Sequence, residues 1–430
     1  MKEINYKRLQ LAIGLLLLLA GPPLPPSAVA QETGLQSRFE LALEALENDR
    51  LNTARRLLNA LLAEEPTLHR ARLELARANY LAADFAGARR EAERVLAEPE
   101  LPASVRTTVL AFLAQIREDE RRFAQRHRWT PSLYAGAMYD SNVNFGIARD
   151  IIDIGGVPFR VLDNSRETSD GAAVIDAGIQ HVYNPGRRFD AGEKTGFFVW
   201  QSQASAYYRA YFDAGDFNLG VATLRTGPSW FVPGKWRAGI GLQADQVWLG
   251  DRALALFSTL NPSVTWEFDN GLELSAEGIV AYRDYARDVD RGRDGWYRSG
   301  GLRLGRELGD GRWALQAGIA YFDFDADDDR FAHRGPDLFA GAVWNAWRGG
   351  SLYLRAGYRR FDFRGEEPGF AKARDDDEYR LIAGLRHAFR DGALRDWSLL
   401  ADWTWTDNQA NIALYEYDRH QFSLGLARNF

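Results

Sequence analysis

Arg355 and Arg359 stand four residues apart in a stretch of alternating polarity, and Arg380 and Arg386 stand six apart in the next one. Even spacing in a strand puts both members of each pair on one face. Guanidinium forks on a common face either contact a passing or docked polypeptide, or they salt-bridge to acids of the same wall. Glu273 and Glu277 repeat the spacing with the opposite charge. This is the chemistry of binding rather than of bond making. The six histidines, His69, His127, His181, His333, His387 and His420, are scattered without metal-ligand spacing. With no cysteine in the chain, a thiolate metal site, a thiol nucleophile and a disulfide framework are all excluded. No motif ties a serine to a base and an orienting acid. The expectation is a non-enzyme with no catalytic residue, no metal centre and no cofactor. Asp327 to Asp329 and Asp375 to Asp377 are acidic runs in expected outer loops, where solvated loop charge is the leading reading and calcium or lipopolysaccharide-bridging cations the competing one.

The arginines need a wall to stand on. From Trp129 onward the sequence alternates with period two. Trp313, Leu315, Ala317, Ile319 and Tyr321 share one face, and Ala314, Gln316, Gly318 and Ala320 the other. Stretches 272–282 and 397–405 repeat the pattern. Trp313 and Tyr321 are eight residues apart, about 26 Å along a strand. Tilted by about 40°, that length matches the apolar band of an outer-membrane barrel, with an aromatic at each interface. Lipid offers the backbone no hydrogen-bond partner, so such a sheet must close. Fourteen strands are predicted near 130–142, 171–183, 195–208, 217–229, 236–248, 253–266, 271–283, 296–307, 312–323, 334–346, 350–362, 378–389, 396–406 and 417–430. The long links near 143–170, 284–295, 324–333, 363–377 and 407–416 then fall at one end, outside the cell. Tight turns at Pro233-Gly234, Asn270-Gly271, Asp310-Gly311 and Gly349-Gly350 fall at the periplasmic end. Two links at that end, 184–194 and 390–395, are long for the role.

Residues 36–122 have another texture, rich in Ala, Leu, Arg and Glu at helical spacing. Shifted by 34 residues, Leu41-Ala42 falls on Leu75-Ala76, Leu51 on Phe85, Ala54-Arg55-Arg56 on Ala88-Arg89-Arg90, and Leu61-Leu62 on Val95-Leu96. That period is the tetratricopeptide signature. Helices are predicted near 35–48, 51–64, 67–82, 85–98 and 103–122. A short solenoid of this kind binds a protein segment on its concave face, or it braces its neighbour. Asn79 and Tyr80 are the candidates for a client groove, with a core role competing at Tyr80. Ahead of the helices, Lys2, Lys7 and Arg8, the apolar run Leu9 to Ala20 and the Ala28-Val29-Ala30 site read as a signal peptide cleaved before Gln31. Without that leader's three basic and one acidic residue, the 53 basic and 59 acidic residues become 50 and 58, a net charge of −8. Such a balance disfavours nucleic acid as a partner. The organisation expected is a signal peptide over 1–30, a tetratricopeptide-like periplasmic helical solenoid over 31–125, and an antiparallel transmembrane β-barrel of about fourteen strands over 126–430.

The chain stops on SLGLARNF. Alternation turns Phe422, Leu424, Leu426 and Phe430 toward lipid, and Tyr417, Arg419, Gln421 and Ser423 toward the lumen. A terminal aromatic on a closing strand resembles the signal read by the barrel assembly machinery. Arg428 departs from that signal and can snorkel into headgroups. The leader, the short repeat block, the stretch RWTPSLYAGAMYDSNVN at 128–144 and the strands ending in Phe430 together resemble the surface lipoprotein assembly modulators, the outer-membrane translocators of the type XI secretion system. Tyr139, Asp140, Ser141, Asn142, Val143 and Asn144 are the most specific piece, although Asp and Asn at a strand-to-loop junction are also ordinary turn chemistry. The resemblance implies a translocator that moves a surface lipoprotein or haemophore-like client from periplasm to cell surface, with the helical repeats recruiting it. Partners would be that client, the barrel assembly machinery, and outer-membrane lipid with its lipopolysaccharide. The competing readings are an exopolysaccharide exporter and a passive porin-like barrel with a structural helical domain.

Overall fold

The computed structural model describes residues 26–154 and 157–430, with side chains from Gly34 on except at Ile154 and Asn164. The leader residues Lys2 to Ala20 lie outside the described residues, as do the side chains of Ala28, Val29 and Ala30. The chain divides into two compact units. One holds the residues up to Arg126 together with Asn184–Phe197, and the other holds His127–Tyr183 and Phe198–Phe430.

In the first unit, α1 (Pro26–Glu47), α2 (Leu51–Glu64), α3 (His69–Leu81), α4 (Phe85–Leu96) and α5 (Ala103–Ala124) each pack on the next. Ala42, Ala54, Ala76 and Ala88 have no exposed surface. A methyl at those contacts lets neighbouring helix axes approach closely. Two apolar clusters result. Phe39, Leu46, Leu58, Leu61 and Leu75 anchor the first, and Phe85, Val95, Val109 and Ile116 the second. Asp84 starts α4 by accepting the Gly87 N–H at 3.0 Å, satisfying one of the orphan donors of the first turn. Among the described residues no helix is long and apolar enough to cross a membrane.

The strands are β1 (His127–Asp140), a loop hairpin of β2 (Ile151–Ile154) and β3 (Val157–Arg160), β4 (Asp170–Tyr183), β5 (Arg188–Ala191), β6 (Lys194–Tyr211), β7 (Leu219–Val232), β8 (Trp236–Leu249), β9 (Arg252–Glu267), β10 (Leu272–Tyr285), β11 (Gly295–Leu308), β12 (Trp313–Ala326), β13 (His333–Trp347), β14 (Gly350–Glu367), β15 (Lys372–Ala388), β16 (Trp397–Ala410) and β17 (Tyr417–Asn429). Among the described residues, fourteen of them form one closed ring. β1 pairs with β4 and β17, β4 pairs with β6, and from β6 to β17 each strand pairs with the next. Closure leaves no free edge, which is what a sheet facing lipid requires. Each of the fourteen predicted strands overlaps one strand of the ring. Trp313, Leu315, Ile319 and Tyr321 point outward and are exposed, and Trp313 stacks on Trp344 of β13 at 5.4 Å. The tight turns work through left-handed backbone. Asp310 and Gly311 both have positive φ, at 55° and 81°, matching the twist of the strands they join.

Two links differ from expectation. The stretch 363–377 is not a long outer loop, because β14 runs to Glu367 and β15 starts at Lys372. Asp375, Asp376 and Asp377 therefore lie in a strand. Arg360 pairs with Asp375 and Arg374 with Asp376, so the acids sit among partners rather than in bulk water. The long link after β4 belongs to the helical unit. There Asn184 Nδ2 donates to the Phe123 carbonyl at 3.1 Å, and Phe197 meets Phe123 edge-on at 5.2 Å. Glu193 caps α2 from this segment, accepting the Thr53 N–H and hydroxyl, both at 2.9 Å. Those two bonds hold the Glu193 carboxyl below the ordinary carboxylate range.

Candidate functional site in the barrel lumen

Strand alternation carries the site. On β14, Leu354 faces out and is exposed, so Arg355, Gly357 and Arg359 face in. On β15 the exposed Tyr379 faces out, so Glu378, Arg380 and Arg386 face in. On β13 the exposed Leu338 faces out, so Asp337 and Phe339 face in. Pairing then aligns the three strands. Arg359 lies opposite Asp337, and Nε donates to Asp337 Oδ2 at 3.0 Å while a second guanidinium nitrogen closes a fork on the same oxygen. Arg380 donates to Glu378 at 3.1 Å, and the Tyr417 hydroxyl donates to the same carboxylate at 3.3 Å. Arg355 lies opposite Gly341 and, among the described residues, finds no acid. Its guanidinium stacks on the Phe339 ring, 3.8 Å from the centroid. Gly318 makes room for that ring, since a Cβ there would sit 2.4 Å from it. Between these side chains lies a luminal cavity of about 300 Å³, lined by Asp337, Phe339, Arg355, Arg359, Glu378 and Arg380 among others.

Three of the four arginines singled out in the sequence thus meet in one cavity. Arg386 does not; it stands toward the short-turn end, opposite Ser351. Near that end Arg237 bridges Glu267 and Glu273 at 2.7 and 2.8 Å. Sequence reasoning missed the luminal face nearer the long loops. There Arg283 lies between Tyr297 and Phe324, at 4.5 and 4.6 Å, beside His333, Phe322 and Phe361. The available signal was the inward face of β12, which changes from Ala314, Gln316, Gly318 and Ala320 to Phe322 and Phe324.

The proposed client groove on the helices needs correction. Asn79 and Tyr80 are both 6% exposed. Asn79 accepts from Arg55 Nε at 2.8 Å, and the Tyr80 hydroxyl donates to Asp119 at 2.7 Å with its ring against Phe85 and Phe112. An aromatic on the inner side of a helix turn is drawn into the core by area alone, so neither residue lines a groove.

The stretch Tyr139 to Asn144 joins the first strand to the last. Asp140 has no exposed surface. Its carboxylate accepts from Arg419 Nε at 2.9 Å and from a second Arg419 nitrogen, from the Tyr211 hydroxyl at 2.7 Å, from Gln421 at 2.9 Å and from the Asn142 N–H at 3.1 Å. Ser141 exchanges bonds with the His420 backbone at 2.9 and 2.8 Å. Asn142 clasps Gly146 in both directions at 2.8 Å, and Asn144 reaches the Arg166 carbonyl at 2.6 Å. Val143 packs on Ala172 and Tyr211. Tyr139 points outward and is exposed. These residues fold the 141–169 loop against the strand ends, and Ile147, Ile152 and Val161 continue the contact onto Ala413 and Leu414. On the closing strand Phe422 and Leu424 are exposed outward, and Leu426 lies on the same face. Phe430 is exposed, with its N–H bonded to the Pro131 carbonyl at 2.9 Å and Arg428 over its ring at 4.7 Å.

This geometry defines a closed antiparallel barrel with a polar, arginine-bearing lumen and an apolar outer wall. A family profile described as "Protein of unknown function (DUF2860)" matches residues 287–429, a third of the chain. No curated protein matches the chain. Solved structures similar to it are outer-membrane proteins. OccK3 (OpdO) of Pseudomonas aeruginosa is 14% identical at a TM-score of 0.34, over 70% of this chain and 95% of that one. OprD of Pseudomonas aeruginosa is 11% identical at 0.37, over 71% and 94%. OmpT of Vibrio cholerae is 8% identical at 0.38, over 71% and 97%. At these TM-scores the likenesses carry no argument about this chain, whose barrel rests on its own strand pairing.

Proposed function

We propose that this chain is an outer-membrane channel for small anionic solutes, with its helical domain on the periplasmic side. The observation that carries the reading is Arg355. It is an exposed luminal guanidinium with no acid partner among the described residues, stacked on Phe339 at the edge of a cavity whose other two arginines, Arg359 and Arg380, are matched by Asp337 and Glu378. A fixed cation on a low-dielectric wall concentrates anions along the path. The exposed apolar outer face and closed ring support the membrane setting. The chain enters β1 at the short-turn end, as a periplasmic N-terminal domain requires. The buried alanines at 34-residue spacing and the consecutive helix packing support a tetratricopeptide-like pair of repeats in that domain. The translocator reading asks for a client groove, and the residues offered for one are interior, so the channel reading is preferred.

The test is conductance of the purified full chain in planar bilayers under a salt gradient. A reversal potential on the anion side is expected. Arg355→Glu should lower the anion-to-cation permeability ratio by at least about fivefold, since one charge at about 4 Å in water is worth about 1 kcal/mol. A silent bilayer, or a cation preference that the substitution leaves unchanged, defeats the proposal.

A further inference from the structure

We infer that the outer face of β11 to β14 carries a binding site for the phosphate groups of an outer-leaflet glycolipid, gripped by Arg298 and Arg334. The inference rests on the membrane setting proposed above. It is independent of what passes through the lumen.

Both arginines point outward and are exposed. Arg298 follows the outward Trp296 on β11, and Arg334 precedes the outward Leu338 on β13. Asp323 of β12 lies directly opposite each of them in register. Tyr321, exposed on the same strand, sits two residues further toward the short-turn end. The arginines therefore stand about 7 Å to the loop side of Tyr321, with Trp296 another two residues beyond Arg298, so outward aromatics that mark the lipid interface bracket them at the depth of headgroup phosphates.

The charge around them is already matched elsewhere. Arg364 takes Asp323 and Asp325, and Arg360 takes Asp362 and Asp375. Asp377 accepts the Tyr358 hydroxyl at 2.6 Å. Arg298 and Arg334 make no ion pair among the described residues. They are two free forks on alternate strands, about 10 Å apart across β12. Arginine side chains converge over that span, and planar forks suit tetrahedral phosphate. Facing an anionic lipid leaflet, each adds about fivefold to lipid retention.

The experiment compares the full chain with R298A/R334A, R298K/R334K and R312A, the last lying in a turn at the opposite end of the barrel. Each is extracted in mild detergent, and retained phosphorylated glycolipid is counted by native mass spectrometry. Rebinding is measured with lipopolysaccharide, with its dephosphorylated form, and with inorganic phosphate alone. Expected are loss of about twentyfold or more in the double alanine variant, a smaller loss in the lysine pair, which keeps the charge and not the fork, retention in R312A, weak binding of the dephosphorylated lipid, and no displacement by inorganic phosphate. Equal lipid on the double alanine variant, or equal binding of dephosphorylated lipid, overturns the site. Displacement by inorganic phosphate alone overturns the lipid as its ligand. A parent chain that stays soluble without detergent and carries no lipid overturns the membrane setting instead, which is a separate failure.

Discussion

Asp140→Ala should be the most damaging single substitution in the barrel. The carboxylate is fully buried and takes five donors, two of them from Arg419, whose side chain is itself only 9% exposed. Truncation strands a buried guanidinium, which costs about 3–5 kcal/mol. The Tyr211 hydroxyl and the Gln421 amide also lose an acceptor, and in a dry setting each adds about 1 kcal/mol. The loss falls on the contact between first and last strands, so it should appear as earlier opening at the seam. The assay is guanidinium unfolding of the chain in lipid vesicles, read by tryptophan fluorescence, with proteolysis of the 141–169 loop alongside. A drop of roughly 5–7 kcal/mol and faster loop cleavage are expected. The double variant D140L/R419L should recover most of the drop, because neither charge is then left buried alone. Asp140→Ala within about 0.5 kcal/mol of the parent, or a mutant cycle with no coupling between 140 and 419, would refute the clamp.

Glu193→Gln should loosen the start of α2 by at most about 1 kcal/mol, since the cap sits in solvent and is screened. The Glu193 carboxyl is depressed in the folded state. Its contribution is therefore present above the ordinary carboxylate range and lost as pH falls through the depressed value, and the variant should flatten that acid limb in circular dichroism of the full chain. Tyr80→Phe should cost about 1–2 kcal/mol in the helical unit by removing one donor from the buried Asp119, which among the described residues keeps Gln115 at 2.6 Å; helical melting unchanged from the parent would count against the core role. Gly341→Asp should place an acid opposite Arg355 and reduce anion preference about as far as removing that arginine. The new Cβ would lie 3.1 Å from the Leu354 carbonyl and 3.5 Å from the Arg355 Cβ, a tight but tolerable fit. Bilayer reversal potentials equal to the parent's would show that Arg355 does not set the field.

The contrast between Arg355 and Arg359 shows where sequence reading stops. Period-two alternation is local, so it put both arginines on the inward face, and that is where they stand. Their different fates are set across the sheet. Opposite Arg359 the β13 strand presents Asp337; opposite Arg355 it presents Gly341. A one-residue slip would exchange every such pairing, and no property of residues 350–367 alone fixes the register. The same limit explains Asp140. Its Asx-turn bond to the Asn142 N–H is two residues long and was legible as turn chemistry, whereas Arg419 lies 279 residues away. It also explains Tyr80, whose hydroxyl partner Asp119 is 39 residues on. The misread link at 363–377 failed for another reason. Past the apolar band both faces of a strand are wet, so alternation vanishes although pairing continues, and Arg and Asp on β14 and β15 look like loop. Membrane strands are thus legible only where the two sides of the wall differ. The selective chemistry depends on which inward charges are left without a partner, and only closure of the ring decides that.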